Sequence, residues 1–248
     1  MRLISTLILA TAFCLPAFAD EATDELIKQA LDADIRTEAE KERDANRKPA
    51  ETLAFFGLTK DMKVLELLPG GGWYTKVLAP VLADDGELYV GVGSGRVRDR
   101  LLGEPGFDKV KELDLDPGFR NDGPFNTYNL NPIRFDEKGF DMVLTFRNVH
   151  NLTPEARAII NKASFDALKS GGVYGVVDHT ARHMEPMSSE NRRRLDPIIV
   201  IKEALAAGFV FEDFSDVHYR PDDELRYEVG RKSVTGNTDR YTLRFRKP

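Results

Sequence analysis

The chain predicts an α/β protein built on a mostly parallel sheet with helices on both faces. Three observations carry this. Short apolar runs alternate with helix-periodic segments from residue 62 onward, the pattern of a sheet assembled from strand-helix-strand units. The first run leads directly into Gly70-Gly71-Gly72 and then a helical stretch, where an open α/β sheet places a ligand turn. The last two runs, 209–217 and 240–246, have no helix between them, so that pair is antiparallel.

Taken in order, Arg2 followed by the apolar run Leu3 to Leu15 and by Ala17-Phe18-Ala19 reads as a secretion signal cleaved before Asp20. That run is shorter than the roughly 20 residues a membrane span needs. The expectation is therefore a periplasmic or secreted protein with no stable membrane anchor after cleavage. The single cysteine, Cys14, lies inside the signal segment 1–19, so the exported part would hold no disulfide and no thiolate.

Residues 20–57 form an N-terminal helical segment and 58–248 the main domain. The stretch 21–45 is free of Gly and Pro and spaces Leu26, Ile27, Ala30, Leu31 and Ile35 for one amphipathic helix. Pro49 starts a second helix that Gly57 closes. Strands are expected at 62–67, 87–92, 140–146 and 172–178, and a third in sequence at 127–130. Helices are expected at 73–82, 154–168 and 191–207, with a shorter one at 107–113.

The formal net charge of -6 argues against nucleic acid as the partner, because binding phosphate backbones favours a basic field. A small-molecule substrate is the expectation. At the glycine turn, Val64-Leu65-Glu66-Leu67-Leu68-Pro69-Gly70-Gly71-Gly72-Trp73-Tyr74 passes from strand to helix. Glycine permits a sharp turn and close ligand approach, and a helix start offers free N–H donors.

This arrangement resembles motif I of class I S-adenosylmethionine-dependent methyltransferases, with Glu66, Gly70 and Gly72 at matching positions. The similarity continues in Gly139-Phe140-Asp141-Met142-Val143-Leu144 and in Leu168-Lys169-Ser170-Gly171-Gly172. More narrowly, Glu42 to Pro49, Phe55-Phe56-Gly57-Leu58, Phe146 to Asn151 and Thr238-Asp239-Arg240 resemble a group of exported bacterial proteins described as predicted methyltransferases.

The resemblance implies a Rossmann-like, seven-stranded sheet with one antiparallel strand and S-adenosylmethionine as cofactor. It places Glu66 and the Pro69, Gly70, Gly71 and Gly72 backbone against the cofactor's methionine part, and Asn129 near its adenine. Trp73 and Tyr74 would wall the pocket or pack on the sheet. Two positions depart from the family pattern: Leu68 replaces the first glycine, and Val92-Gly93-Ser94 lacks the usual carboxylate for the ribose hydroxyls.

For proton transfer the candidates are His150 and His179, each just beyond a strand end on the cofactor edge. Asn148 either orients a substrate or caps the following helix, and Arg147 either orients a substrate or makes a surface ion pair. Thr153 is read as a cap. Asp178, His179, His183 and Glu185 have metal-compatible chemistry, but the segment reads as a loop and no metal is assigned. The loop 218–237 either covers a substrate or is a solvated hairpin. The functional expectation is methyl transfer to a small molecule or envelope component; its rival is an exported binding protein that has lost or replaced the cofactor.

Overall fold

The computed structural model describes residues 20–248; the expected secretion signal lies outside the described residues. The N-terminal segment holds α1 (Glu21–Asp32), α2 (Glu38–Lys41), α3 (Asp44–Arg47) and α4 (Pro49–Phe56). The body continues with β1 (Lys63–Leu67), α5 (Thr75–Val81), β2 (Glu87–Gly91), α6 (Gly95–Arg100) and β3 (Lys111–Glu112). It closes with β4 (Phe140–Phe146), α7 (Pro154–Ala167), β5 (Leu168–His179), α8 (Pro197–Ala206), β6 (Val210–Ser215) and β7 (Arg240–Arg246).

The strands form one seven-stranded sheet in the order β3-β2-β1-β4-β5-β7-β6. Only β7 runs against its neighbours; the pairs from β3 through β5 are parallel. The chain winds outward from β1 in one direction and from β4 in the other, so the crevice between their carboxyl ends is the switch point where such sheets bind ligands.

Strand alternation sorts the core onto two faces. Leu65, Leu67 and Val143 pack with Ile160 of α7 and Val200 of α8. Val64, Met142 and Leu144 pack with Ile27 of α1, Leu53 of α4 and Val77 and Leu78 of α5. Because side chains on a strand repeat with a period of two, Glu66 shares the face of Val64 and is directed at the start of α5. Among the described residues no helix is long and apolar enough to cross a membrane.

Four expectations need correction. The single helix over 21–45 is broken into three, because the chain folds around Arg36: its side chain, 2% exposed, donates to Leu31 O at 2.6 Å and to Asp44 Oδ1 at 2.5 Å. Thr37 and Glu40 then restart the chain with a reciprocal capping box. The third strand in sequence is Lys111–Glu112 rather than 127–130, and it displaces the helix expected at 107–113. Residues 127–130 run beside the sheet through isolated bridges, Arg120 to Asn129 and Tyr128 to Leu152. Finally, α8 starts at Pro197 rather than 191, since the Asp196 carboxylate accepts from Ile198 N at 2.9 Å and Pro197 has no N–H to satisfy.

Candidate functional site

At the end of β1 the backbone leaves the sheet through Leu68, at φ 53°, and turns through Gly70 and Gly72, at φ 61° and 82°. Leu68 is held in this left-handed conformation from both sides. Its N–H donates to Gly91 O at 3.0 Å, and its carbonyl accepts from Asn148 Nδ2 at 2.7 Å. The Asn148 amide also donates to Phe146 O at 2.9 Å, so it ties the ends of β1 and β4 together. Gly71 is the open position: a Cβ there would meet nothing within 4 Å. At Gly72 a Cβ would stand 2.3 Å from Leu101 Cδ1, which makes that glycine a packing requirement.

Glu66 is 2% exposed and accepts from Thr75 Oγ1 at 2.6 Å. Burial pushes its carboxyl up to about 7, against the opposing pull of the Thr75 hydrogen bond and the nearby Arg47. A buried acid held near neutrality at a glycine turn is poised to ionise when a cation is brought against it.

Two clefts meet over Leu68, Gly70 and Asn148. The first, about 370 Å³, is walled by Gly93, Arg96, Phe119, Tyr128 and Asn151. Phe119 and Tyr128 pack edge to face with centroids 6.1 Å apart, giving a flat ligand ring an aromatic wall. No carboxylate lines this cleft among the described residues. Ser94, beyond β2, instead donates to Glu112 at 2.5 Å.

The second cleft, about 310 Å³, contains Glu66, the backbone of Pro69 to Gly71, Trp73, Tyr74, Arg43, Arg47 and Arg147. Tyr74 stacks on Phe146 at 3.6 Å with 10° between planes. Trp73 Nε1 donates to Glu40 O at 3.2 Å, and Lys76 Nζ pairs with the Glu40 carboxylate at 2.8 Å. These contacts fix the N-terminal segment across the helix that follows the glycine turn.

The structure thus brings Glu66, the glycine turn, Trp73, Tyr74 and Asn148 together at one place. It sets the two histidines behind the clefts. His150, 4% exposed, donates its backbone N–H to Asp178 Oδ2 at 2.9 Å, and its Nδ1 stands 2.5 Å from Asp178 Oδ1. With the carboxylate accepting, Nδ1 carries a proton.

His179 has both nitrogens engaged, with Nε2 accepting from Arg147 Nε at 3.1 Å and Nδ1 lying 2.8 Å from Thr238 Oγ1. Burial, then Arg147, His150 and Arg240, hold its pKa well below the ordinary range. It is a neutral support for Arg147.

Asn129 does not line either cleft; its amide donates to Asp122 at 2.8 Å and its oxygen accepts from Thr153. Its neighbour Tyr128 faces the first cleft instead. Thr153 caps α7, accepting from Ala156 N at 3.2 Å. The metal-compatible set is dispersed: His183 lies 2.7 Å from Asp196, while Asp178 is engaged by His150. The loop 218–237 is anchored, with His218 and Asp223 buried and Arg194 paired to Asp223 at 2.9 Å. Sequence reasoning missed Arg43, Arg47, Arg96, Phe119 and Tyr128, which come to the site from irregular or short segments.

No family model and no curated protein sequence matches the chain. Solved structures do. A SAM-dependent methyltransferase from Aquifex aeolicus superposes with a TM-score of 0.58 at 15% identity, covering 91% of this chain and 98% of that one. The glycopeptide N-methyltransferase MtfA, complexed with S-adenosyl-L-methionine, gives 0.54 at 16%, covering 82% and 94%. The [4+2]-cyclase SpnF gives 0.53 at 16%, covering 82% and 81%. At such identities the likeness establishes the class I methyltransferase fold, a scaffold that supports more than one chemistry.

Proposed function

We propose that this chain, which has the class I methyltransferase fold, is an S-adenosylmethionine-dependent methyltransferase acting on a small molecule or a component of the bacterial envelope. The observation that carries the reading is Glu66: a buried carboxyl held near neutrality beside an open glycine turn, at the sheet's switch point, where two clefts join. A methionine-type ammonium fits this carboxyl, and the turn at Gly70 and Gly71 has room for close approach. The aromatic wall of Phe119 and Tyr128 suits an adenine ring. When bound, the cofactor supplies an electrophilic methyl group; the protein's part is alignment and exclusion of water.

In this reading Glu66 and the turn hold the amino-acid end, Asn148 fixes the junction of the clefts, and Tyr74 and Phe146 form the apolar wall beside the acceptor. His150, buried behind the clefts and tied to Asp178, holds in place the loop that carries Arg147 and Asn148 and does not itself meet the acceptor. The signal-like stretch from Arg2 to Ala19 supports work in the periplasm or outside the cell.

A second reading, a binding protein that has kept the fold without transfer, draws on the lack of any carboxylate lining the first cleft among the described residues. Isothermal titration with S-adenosylmethionine and S-adenosylhomocysteine separates the two. Micromolar binding of both is expected; absence of heat at high micromolar ligand would leave the second reading standing.

A further inference from the structure

The second cleft carries a surplus of positive charge that the cofactor does not neutralise. Arg43, Arg47 and Arg147 all line it. Arg47 is 9% exposed, and its Nε has no hydrogen-bond partner. Of the other buried arginines, Arg36 is matched with Asp44, Arg157 with Glu203 and Arg194 with Asp223, while Arg240, which adds its own positive charge to this same neighbourhood, has no acid partner either. An unpaired buried guanidinium is costly, so the contrast marks this place as one built for something brought from outside.

The acids in the cleft do not answer the charge. Glu40 is spent on Lys76, and Glu66 is turned to Thr75 and held near neutrality. Meanwhile both inner arginines are fixed from behind. The Arg47 carbonyl lies 2.7 Å from His218 Nε2, and its guanidinium sits 4.2 Å from the centre of the Trp73 ring. Arg147 is held by His179. Burial first, then the like charges of Arg147, Arg43 and Arg240, push the Arg47 guanidinium below its ordinary range.

The amino-acid end of S-adenosylmethionine is a zwitterion and its sulfonium adds a further positive charge, so cofactor binding leaves the surplus in place. We propose that the methyl acceptor carries an oxyanion, a carboxylate or a phosphate, seated between Arg43, Arg47 and Arg147. Planar guanidinium groups grip both kinds of oxyanion through paired hydrogen bonds. The proposal rests on the methyltransferase reading of the same site, and it names the chemical class of the acceptor.

The test is isothermal titration with inorganic phosphate and with acetate, each on the free protein and on protein saturated with S-adenosylhomocysteine. At least one anion is expected to bind the loaded protein in the millimolar range. Arg47→Gln and, separately, the exposed Arg43→Gln are each expected to weaken it roughly tenfold or more, the loss of a charge-assisted hydrogen bond. S-adenosylhomocysteine affinity should change less than the anion affinity in both variants.

Absence of anion binding overturns the proposal, as does anion binding that neither substitution alters. So does an anion that competes with S-adenosylhomocysteine yet binds alongside methylthioadenosine, which lacks the carboxylate; the arginines would then serve the cofactor alone. Anion binding sensitive to Arg47→Gln in a protein that ignores S-adenosylhomocysteine would support the oxyanion site and remove the methyltransferase reading instead.

Discussion

Replacing Glu66 by Gln exchanges a buried ionisable group for a neutral one of the same shape, and the structure fixes both the sign and the size of the result. Burial raises its pKa from 4.5 to about 7, a penalty of roughly 3 kcal/mol on the ionised form. Below the unfolded value neither state is ionised and nothing is lost. As pH rises toward the folded value the unfolded chain releases its proton first, so stability falls through that window.

Glu66→Gln removes this loss while keeping an acceptor for Thr75 Oγ1. The variant should match the parent at about pH 4.5 and exceed it by up to roughly 3 kcal/mol at about pH 8, measured by urea unfolding. On the proposed reading, the same substitution removes the charge that would receive the cofactor's ammonium. In the parent, S-adenosylhomocysteine affinity should therefore fall about tenfold for each pH unit below 7; in the variant it should be weak and flat. A parent whose affinity is flat across this range, with a variant no more stable at the higher pH, would refute the assignment of Glu66.

Three further outcomes follow from the same geometry. Burial holds His218 down to about 4, so its contribution to stability is present above 6.5 and lost as pH falls toward 4, by up to roughly 3 kcal/mol. Acid unfolding of Glu66→Gln against Glu66→Gln/His218→Asn should show that slope and then its loss. Asn148→Ala strips the donor from the carbonyls of Leu68 and Phe146; a stability loss of about 1 to 3 kcal/mol is expected, with weaker S-adenosylhomocysteine binding by calorimetry. Asp223→Asn leaves Arg194, whose side chain is 0% exposed, without its carboxylate, and the denaturant midpoint should fall by the equivalent of about 3 to 5 kcal/mol.

The fold was legible where local chemistry and packing agreed. The apolar strands at 63–67, 87–91, 140–146 and 240–246 are buried in the sheet as their sequence implies, and the glycine turn stands where the motif puts it. The failures share a cause. Arg36 breaks a helix whose apolar spacing is continuous, because a tertiary ion pair with Asp44 overrides propensity. The strand Lys111–Glu112 is two residues long, too short for period-two alternation to register.

The site divides in the same way. Glu66 and Gly71 carry their signal in neighbouring residues. Arg47 and Tyr128 reach the clefts from segments distant in sequence, and nothing adjacent to them reports it. The solvated look of the loop 218–237 concealed a buried ion pair for a similar reason: Arg194, the partner of Asp223, is 29 positions away.

The most direct test of the central claim is calorimetric titration of the parent and of Gly71→Ala with S-adenosylhomocysteine. A methyl group at Gly71 meets no protein atom within 4 Å and requires no left-handed backbone, so the variant should fold and unfold like the parent while its new side chain occupies ligand space. Micromolar binding in the parent, weakened roughly tenfold or more in the variant, is the predicted result. No binding in the parent, or equal binding in both, would contradict it.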